Sequence, residues 1–381
     1  MNGRNEIIIT TYEKRPILMY QREDRPYDLL VGERQPKEVL EVGDIYVGRV
    51  QNIVQNIHAA FVEVKKGVIC YLPMGECDDC RVRIGDELVV QVKKAAIKTK
   101  QAVVTLAVEL VGTYCVVSAK EKRKGISGKI TDEEARTRLQ EVLEEYEDEP
   151  YGIVLRTNAS EVTTDVVREE CSQLLFELRD MLEHSQYKTC FSRLRKASPF
   201  YITYIRSCQR EEYDRIITDD KFVYDDLRER GYDKTEFYGD ADYPLEKLLG
   251  LGAKLEKALA KRVWLKSGGY LVIEPTEALT VIDVNTGKAI DGKRNKETTF
   301  FKINCEAAKE VARQMRLRSM SGIILVDFID MQEKEHRKEM MELLREELKK
   351  DKTRTSLVDI TRLGLVELTR MKKNPPLWEI F

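Results

Sequence analysis

The sequence is poor in histidine: His58, His184 and His336 are the only three in 381 residues, and they lie in unrelated contexts. It lacks a second CxxC to accompany Cys77 and Cys80. Structural zinc normally takes four such ligands, so a structural zinc at these cysteines, even with Cys70 upstream, is not expected. It also lacks any long hydrophobic run. The N-terminal stretch "MNGRNEIIITTYEKRPILMY" holds too short an apolar segment for a signal peptide, and nothing later approaches the roughly 18 apolar residues of a membrane span. A cytoplasmic protein without membrane contact is therefore expected, with its eight cysteines as reduced thiols. Finally, net charge is nearly absent: 64 Lys plus Arg stand against 66 Asp plus Glu. No overall basic field can attract a polyanion, and any nucleic-acid binding must rest on local patches. What is present is 42% hydrophobic residues, enough for the cores of about two to four domains.

Between Val42 and about Leu106 the chain reads as β structure throughout. "VGDIYVGRVQNIV", "AAFVEV", "GVICYLPM", "GDELVVQVKKAAI" and "AVVTLAVEL" are short β-branched runs separated by Gly, Asp and Lys turns, the pattern of a small closed barrel of the OB type. Phe61 and Tyr71 can stand on one face of such a barrel as stacking platforms for bases, or be core residues. Arg49, Lys98 and Lys100 are candidate backbone cations or solvated surface positions. The order of these segments resembles the S1 RNA-binding domain, which implies single-stranded RNA as the ligand class.

An α/β block follows. Thr131 and Glu134 form a capping-box pattern before a helix with Ala135, Leu139, Val142, Leu143 and Tyr146 on one face. The strand "GIVLR" then leads into Arg156-Thr157, and a helix is expected from about Ser160 to His184. Lys120, Lys122, Arg123 and Lys124 form a cationic entry or a solvated loop. Residues 1–34 contain two short strands, too few to fold alone, and are expected to join the region after Phe200. There "YPLEKLLGLGAKLEKALAKRVWL" reads as one helix with Pro244 near its start.

The last third carries the chemistry. "SGGYLVIEPTEALTVIDVNTG" predicts a β-hairpin turning at Pro275-Thr276, its second strand ending at Asp283. The helix "NCEAAKEVARQMRLRSM" leads to the apolar strand "GIILVDFIDM", ending at Asp327. A strand-helix-strand crossover makes such strands parallel and often adjacent, bringing both acids to one sheet edge. Two carboxylates there suit Mg²⁺, which keeps several waters and takes one or two carboxylates plus a substrate phosphate. The alternative is that both acids only end strands and accept turn hydrogen bonds. Asn285 can orient Asp283, Asp330 and Glu297 are further acids nearby in sequence, and Arg313, Arg316, Arg318, Arg354 and Arg362 are candidate phosphate partners.

"GGYLVIEPTEALTVIDVNTGK", "EAAKEVARQMRLRSMSGIILVDFIDM" and "DITRLGLVELTR" together resemble the catalytic domain of the ribonuclease E/G family. The resemblance implies an α/β, multidomain chain. An RNase H-like domain (1–34 plus 200–260) would be split by an S1 barrel (35–107) and a 5′-sensor domain (108–199), with a DNase I-like nuclease domain (261–381) following. It implies an endoribonuclease that hydrolyses phosphodiesters in single-stranded RNA, in ribosomal RNA precursors and messenger RNA, and leaves 5′-phosphates. Mg²⁺, or Mn²⁺ in its place, would sit on Asp283 and Asp327 with Asn285 in support. By the same resemblance, Arg156, Thr157, Gly112 and Val116 would hold a 5′-monophosphate. Phe61, Tyr71 and Lys100 would hold the strand, and Arg354, a candidate from its charge alone, is a further expected RNA contact. Where relatives carry a basic pair after "GIS", this sequence has Gly128-Lys129, which leaves Lys129 as the cation there. No cysteine follows Cys305 and the sequence ends at "PPLWEIF", so the family's zinc link and small C-terminal domain have no counterpart, and a homodimer is left open. A non-catalytic, S1-containing RNA-binding protein is the competing expectation.

Overall fold

The computed structural model describes the chain apart from residues 1–3, 33–39, 77–81, 97–99, 121, 210–211 and 288–295. Cys77, Cys80 and Lys98 therefore lie outside the described residues. The chain divides into two compact units, residues 36–209 and residues 1–35 with 210–381. Among the described residues no helix is long and apolar enough to cross a membrane.

The first unit opens with the expected barrel. Strands Ile45–Val54, Ala59–Lys65, Val68–Pro73, Val103–Thr105 and Glu87–Lys94 pair in that spatial order. The first strand then pairs with the last, Ile45 opposite Gln91, and closes the ring. Strand alternation fills its interior with Val62, Val64, Leu72, Val90, Val92 and Val104, all buried. A four-stranded sheet follows, with Gly152–Leu155 between Lys124–Ile126 and Cys115–Ser118, and Glu109–Val111 at the far edge. Helices Glu133–Glu144 and Thr164–Ser185 bury Leu139, Val142, Cys171, Leu175 and Leu178 against it. The first of these helices is capped one residue later than expected. Asp132, not Thr131, takes the N-cap position and accepts from the Ala135 N–H at 3.0 Å, its own backbone being extended as an N-cap requires.

In the second unit the N-terminal segment forms three strands rather than two: Glu6–Tyr12, Arg15–Arg22 and Arg25–Val31. The third is masked in sequence by Pro26 and Asp28, which weaken a strand pattern. Arg215–Thr218 adds in parallel to the first of them, and Thr235–Phe237 to Arg215–Thr218. The single helix expected over residues 243–265 is instead two, Leu245–Leu248 and Leu251–Leu259. Gly250 separates them at φ +58°, a left-handed conformation that ends helices and that glycine adopts without penalty. The "RVW" that follows is not helical. It forms the edge strand Arg262–Trp264.

That edge strand starts a six-stranded sheet, continued by Tyr270–Pro275, Leu279–Asn285, Gly322–Asp327, Val366–Arg370 and Thr355–Ile360. Only Leu279–Asn285 and Gly322–Asp327 are parallel, as the crossover through helix Lys296–Leu317 requires. This helix and Lys334–Lys349 cover one face, burying Leu271, Ile273, Ile282, Val284, Ile324, Val326 and Leu368. The alternate residues Val272, Val281, Asp283, Leu325 and Asp327 belong to the other face and to no buried core.

Candidate active site

Asp283 and Asp327 stand directly opposite each other across the parallel pair. Both are exposed. The strand bearing Asp283 does not stop there but runs to Asn285, so strand alternation, rather than a strand end, turns the carboxylate outward. Asn285 lies two residues on and shares the face. Its Nδ2 donates to Asp283 Oδ2 at 2.6 Å, which leaves the other carboxylate oxygen directed by a fixed neighbour.

The electrostatics are those of an acid cluster. Partial burial pushes the Asp327 carboxyl above the ordinary carboxylate range, and the charges of Asp283 and Asp330 push it further the same way. Like charges so close repel, and a cation relieves the repulsion. Among the described residues no three or more His, Cys, Asp or Glu side chains converge as an all-protein metal cage. The donor set is two carboxylates and one amide, all hard oxygen or its support. It fits an ion that completes its shell with water and substrate oxygens.

Two residues behind the site position it. Asn304, fully buried on the crossover helix, donates to the Ile329 carbonyl at 2.7 Å and accepts from the Ile329 N–H at 3.1 Å. It thereby clamps the segment between Asp327 and Asp330. A lone asparagine among apolar helix residues was the one sequence signal for it. Glu297 accepts from the Gln332 and Glu333 N–H groups, each at 3.2 Å, and from the His336 ring at 3.3 Å. Those backbone donors, Gln332 first, hold its carboxyl below the usual range, so Glu297 ties the following helix down.

The arginines of the crossover helix are not beside the acids. Arg313 pairs with Glu310, Arg316 lies 3.7 Å from Asp28 and over the Tyr27 ring, and Arg318 donates to Gln314 and to the Ala260 carbonyl. Arg313 and Arg316 sit on, and Arg318 just beyond, a helix that packs against the covered face, and the acids lie on the open one. Arg354 is exposed but lies at the other end of the sheet, since Thr355 pairs with Arg370 and Arg370 with Gly322. Strand rise puts it about 20 Å along from the Asp327 row. Arg362 and Leu363, in contrast, occupy the tip that follows Ile360 and precedes Val366, the partner of Val326. The tip therefore projects beside the acid end.

In the first unit the structure gathers the expected phosphate-pocket residues from separate loops. Arg156 Nη1 donates to the Gly112 carbonyl at 2.5 Å and the Thr113 carbonyl at 3.3 Å. Thr157 Oγ1 lies 3.2 Å from Ser127 Oγ, which also accepts from the Lys129 N–H at 3.4 Å. Val116 is half-buried opposite Val154. Glu170, absent from the sequence reading, organises this region by accepting the Thr113, Tyr114 and Cys115 N–H groups at 2.7, 2.6 and 3.0 Å. A Cβ at Gly112 would lie 2.5 Å from the Glu170 carboxylate, so this close approach requires glycine. Of the four cations read as an entry, Lys124 is committed to the Glu149 and Tyr151 carbonyls.

On the barrel, Phe61 and Tyr71 face each other across neighbouring strands, their rings 6.2 Å apart in an edge arrangement. Lys100 is exposed two residues before Ala102, whose carbonyl accepts from the Tyr71 N–H. Arg49 is paired with Glu87 at 2.8 Å. Cys70 is fully buried, and burial raises its thiol to about 11, which disfavours the thiolate that zinc would need.

Residues 109–373 match the family model described as "Ribonuclease E/G family". Ribonuclease G of Salmonella typhimurium (strain SL1344) is 34% identical over 357 residues, covering 87% of this chain and 73% of that protein. Ribonuclease G of Haemophilus influenzae is 34% identical over 366 residues, with 89% and 74% covered. Ribonuclease E of Nostoc sp. (strain PCC 7120) is 31% identical across 99% of this chain and 57% of its own length.

Proposed function

The chain belongs to the ribonuclease E/G family, and from that premise we propose that it is a Mg²⁺-dependent endoribonuclease. It hydrolyses phosphodiester bonds in single-stranded RNA, favours 5′-monophosphorylated substrates, and acts in ribosomal RNA processing and messenger RNA decay in the cytoplasm. The observation that carries the reading is the register of Asp283 against Asp327, with Asn285 bonded to Asp283, on an exposed sheet face.

Asp283 and Asp327 would hold the ion, which supplies a polarised phosphoryl oxygen and a bound water of lowered pKa. Asn285 keeps the Asp283 carboxylate in one orientation. Asn304 keeps the Asp327–Asp330 segment from drifting and Glu297 holds the start of the helix after it, since misplacement by even 1 Å can cost on the order of a hundredfold in rate. Arg362, at the acid end, is placed to neutralise a substrate phosphate. In the other unit, Arg156, Thr157 and Lys129 would hold a terminal phosphate, on which an arginine fork and a hydroxyl can act together. Phe61, Tyr71 and Lys100 would track the strand across the barrel. The domain reading that goes with this is an RNase H-like sheet split by the barrel and the sensor block, then a DNase I-like nuclease sheet. Helix Phe200–Ile205 clusters with the inserted unit, so the return to the RNase H-like sheet comes at about residue 210.

The test is cleavage of a short labelled single-stranded RNA in 5′-monophosphate and 5′-hydroxyl forms, with Mg²⁺ or with EDTA. Mg²⁺-dependent cutting that favours the monophosphate supports the reading. Binding without cutting in Mg²⁺ and Mn²⁺ would make the chain an RNA-binding protein instead.

A further inference from the structure

The exposed face that carries the acid pair continues past it to a second cluster. Arg262 pairs with Val272, Val272 with Asp283, and Asp283 with Asp327. Arg262 thus shares one row with both carboxylates, two strand spacings or about 10 Å from Asp283. One row along, Trp264 pairs with Tyr270, and Tyr270 with Asn285. The Trp264 and Tyr270 rings lie 5.1 Å apart at 59°. The Arg262 guanidinium sits 4.4 Å from the Tyr270 centroid and 5.6 Å from that of Trp264. Trp264 is 59% exposed, and among the described residues no carboxylate pairs with Arg262.

An indole so exposed beside a guanidinium that pairs with no described carboxylate presents a flat π surface and a phosphate donor together, two strand spacings from the amide of the acid site. We propose that Trp264, backed by Tyr270 and Arg262, is a base-stacking subsite for the nucleotide flanking the scissile phosphate. This rests on the nuclease reading and deepens it. Arg262 covers Tyr270, so Trp264 takes the base, while the remaining guanidinium N–H groups meet the adjoining phosphate. The occupant is the RNA strand because the cluster is continuous with the carboxylate row. It also offers a stacking face and a cation in the alternation that single-stranded nucleic acid requires. Every base has a π face, so this subsite sets affinity and the register of the cut without reading sequence.

The chain has two tryptophans, and the other, Trp378, packs against the core. In a Trp378→Phe protein, Trp264 is the sole indole. With EDTA present to prevent cutting, labelled RNA is titrated and its polarisation followed together with Trp264 emission, beside an abasic strand of equal length. The expected result is emission quenched in step with binding by RNA, and little quenching by the abasic strand. In the otherwise native protein, Trp264→Ala raises KM roughly 5- to 100-fold and Trp264→Phe restores most of it, with Tm near the native value in both. RNA that binds without changing Trp264 emission, or a Trp264→Ala enzyme with native KM, overturns the subsite and leaves the nuclease reading standing. Absence of RNA binding overturns both. Emission that changes with protein concentration alone, accompanied by doubled mass, assigns the face to a second copy of the chain and overturns the proposal.

Discussion

The acid pair and the proposed phosphate pocket are built on opposite plans. Asp283, Asn285 and Asp327 sit on two adjacent strands whose register sets their spacing, and the backbone ladder itself pre-organises them. Arg156, Thr157, Gly112 and Lys129 come from separate turns, held together by side-chain contacts to Ser127 and by one carboxylate, Glu170. A site on a ladder should lose activity when its own acids change but keep its shape. A site assembled from turns should lose its shape when a supporting residue changes.

The sharpest break in the comparison is at the acids. Asp283→Asn or Asp327→Asn is expected to lower single-turnover cleavage by about a thousandfold or more, because the stabilisation that the proposed ion would supply is worth several kcal/mol. The fold should not suffer. Asp327 has a raised carboxyl pKa, so its anion is the disfavoured form in the folded protein. That penalty is present above the folded pKa and is relieved as pH falls through it. Asp327→Asn should therefore melt at or above the native Tm in EDTA at neutral pH, with the margin shrinking toward about pH 4. A melting point clearly below native would show that the acid is structural.

Asn304→Leu should come next. It removes both hydrogen bonds to the half-buried Ile329 backbone, a cost of about 1–3 kcal/mol in stability. The freed Asp327–Asp330 segment should lower kcat by roughly tenfold or more while KM moves little. Equal loss in KM and none in kcat would detach Asn304 from the acid site.

Glu170→Ala acts on the other plan. Three backbone N–H groups lose an anionic acceptor, and the turn that carries the Gly112 and Thr113 carbonyls, partners of Arg156, is released. Preference for 5′-monophosphate over 5′-hydroxyl RNA should fall toward unity, with cleavage of the 5′-hydroxyl substrate within about twofold of native. A preference that survives would separate Glu170 from the pocket.

The same contrast explains what could be read from the sequence. The acid site was legible because period-two alternation and the parallel crossover are local rules, and together they bring Asp283 opposite Asp327. Even there the strand end was misplaced, since "DVN" continues the strand to Asn285. The barrel was legible for the same reason. Arg262 and Trp264 were lost inside an expected helix because the good helix formers "AKLEKALAK" run straight into "RVW", and only tertiary pairing with Tyr270–Pro275 makes that end a strand. Glu170 was invisible because its partners are backbone N–H groups some 55 residues away. No side-chain pattern records such a contact. The arginines of the crossover helix misled in the opposite sense, since charge alone does not say which face of a sheet a helix covers.

The smallest effect belongs to Arg49, and it refines the comparison at the barrel. Sequence offered Arg49 beside Lys100 as a candidate backbone cation or a solvated surface position, and the structure holds Arg49 by Glu87 and over the Phe191 ring. An exposed pair of this kind adds little to stability, and a cation already neutralised by a neighbour releases few counterions from RNA. Arg49→Ala should leave RNA affinity within about twofold and the salt slope unchanged, whereas Lys100→Ala should weaken binding and reduce the slope by about one. The two slopes, measured side by side with uncleaved RNA in EDTA, separate a cation available to the strand from one that the fold has already engaged. Equal slopes for the two variants would return Arg49 to the RNA path.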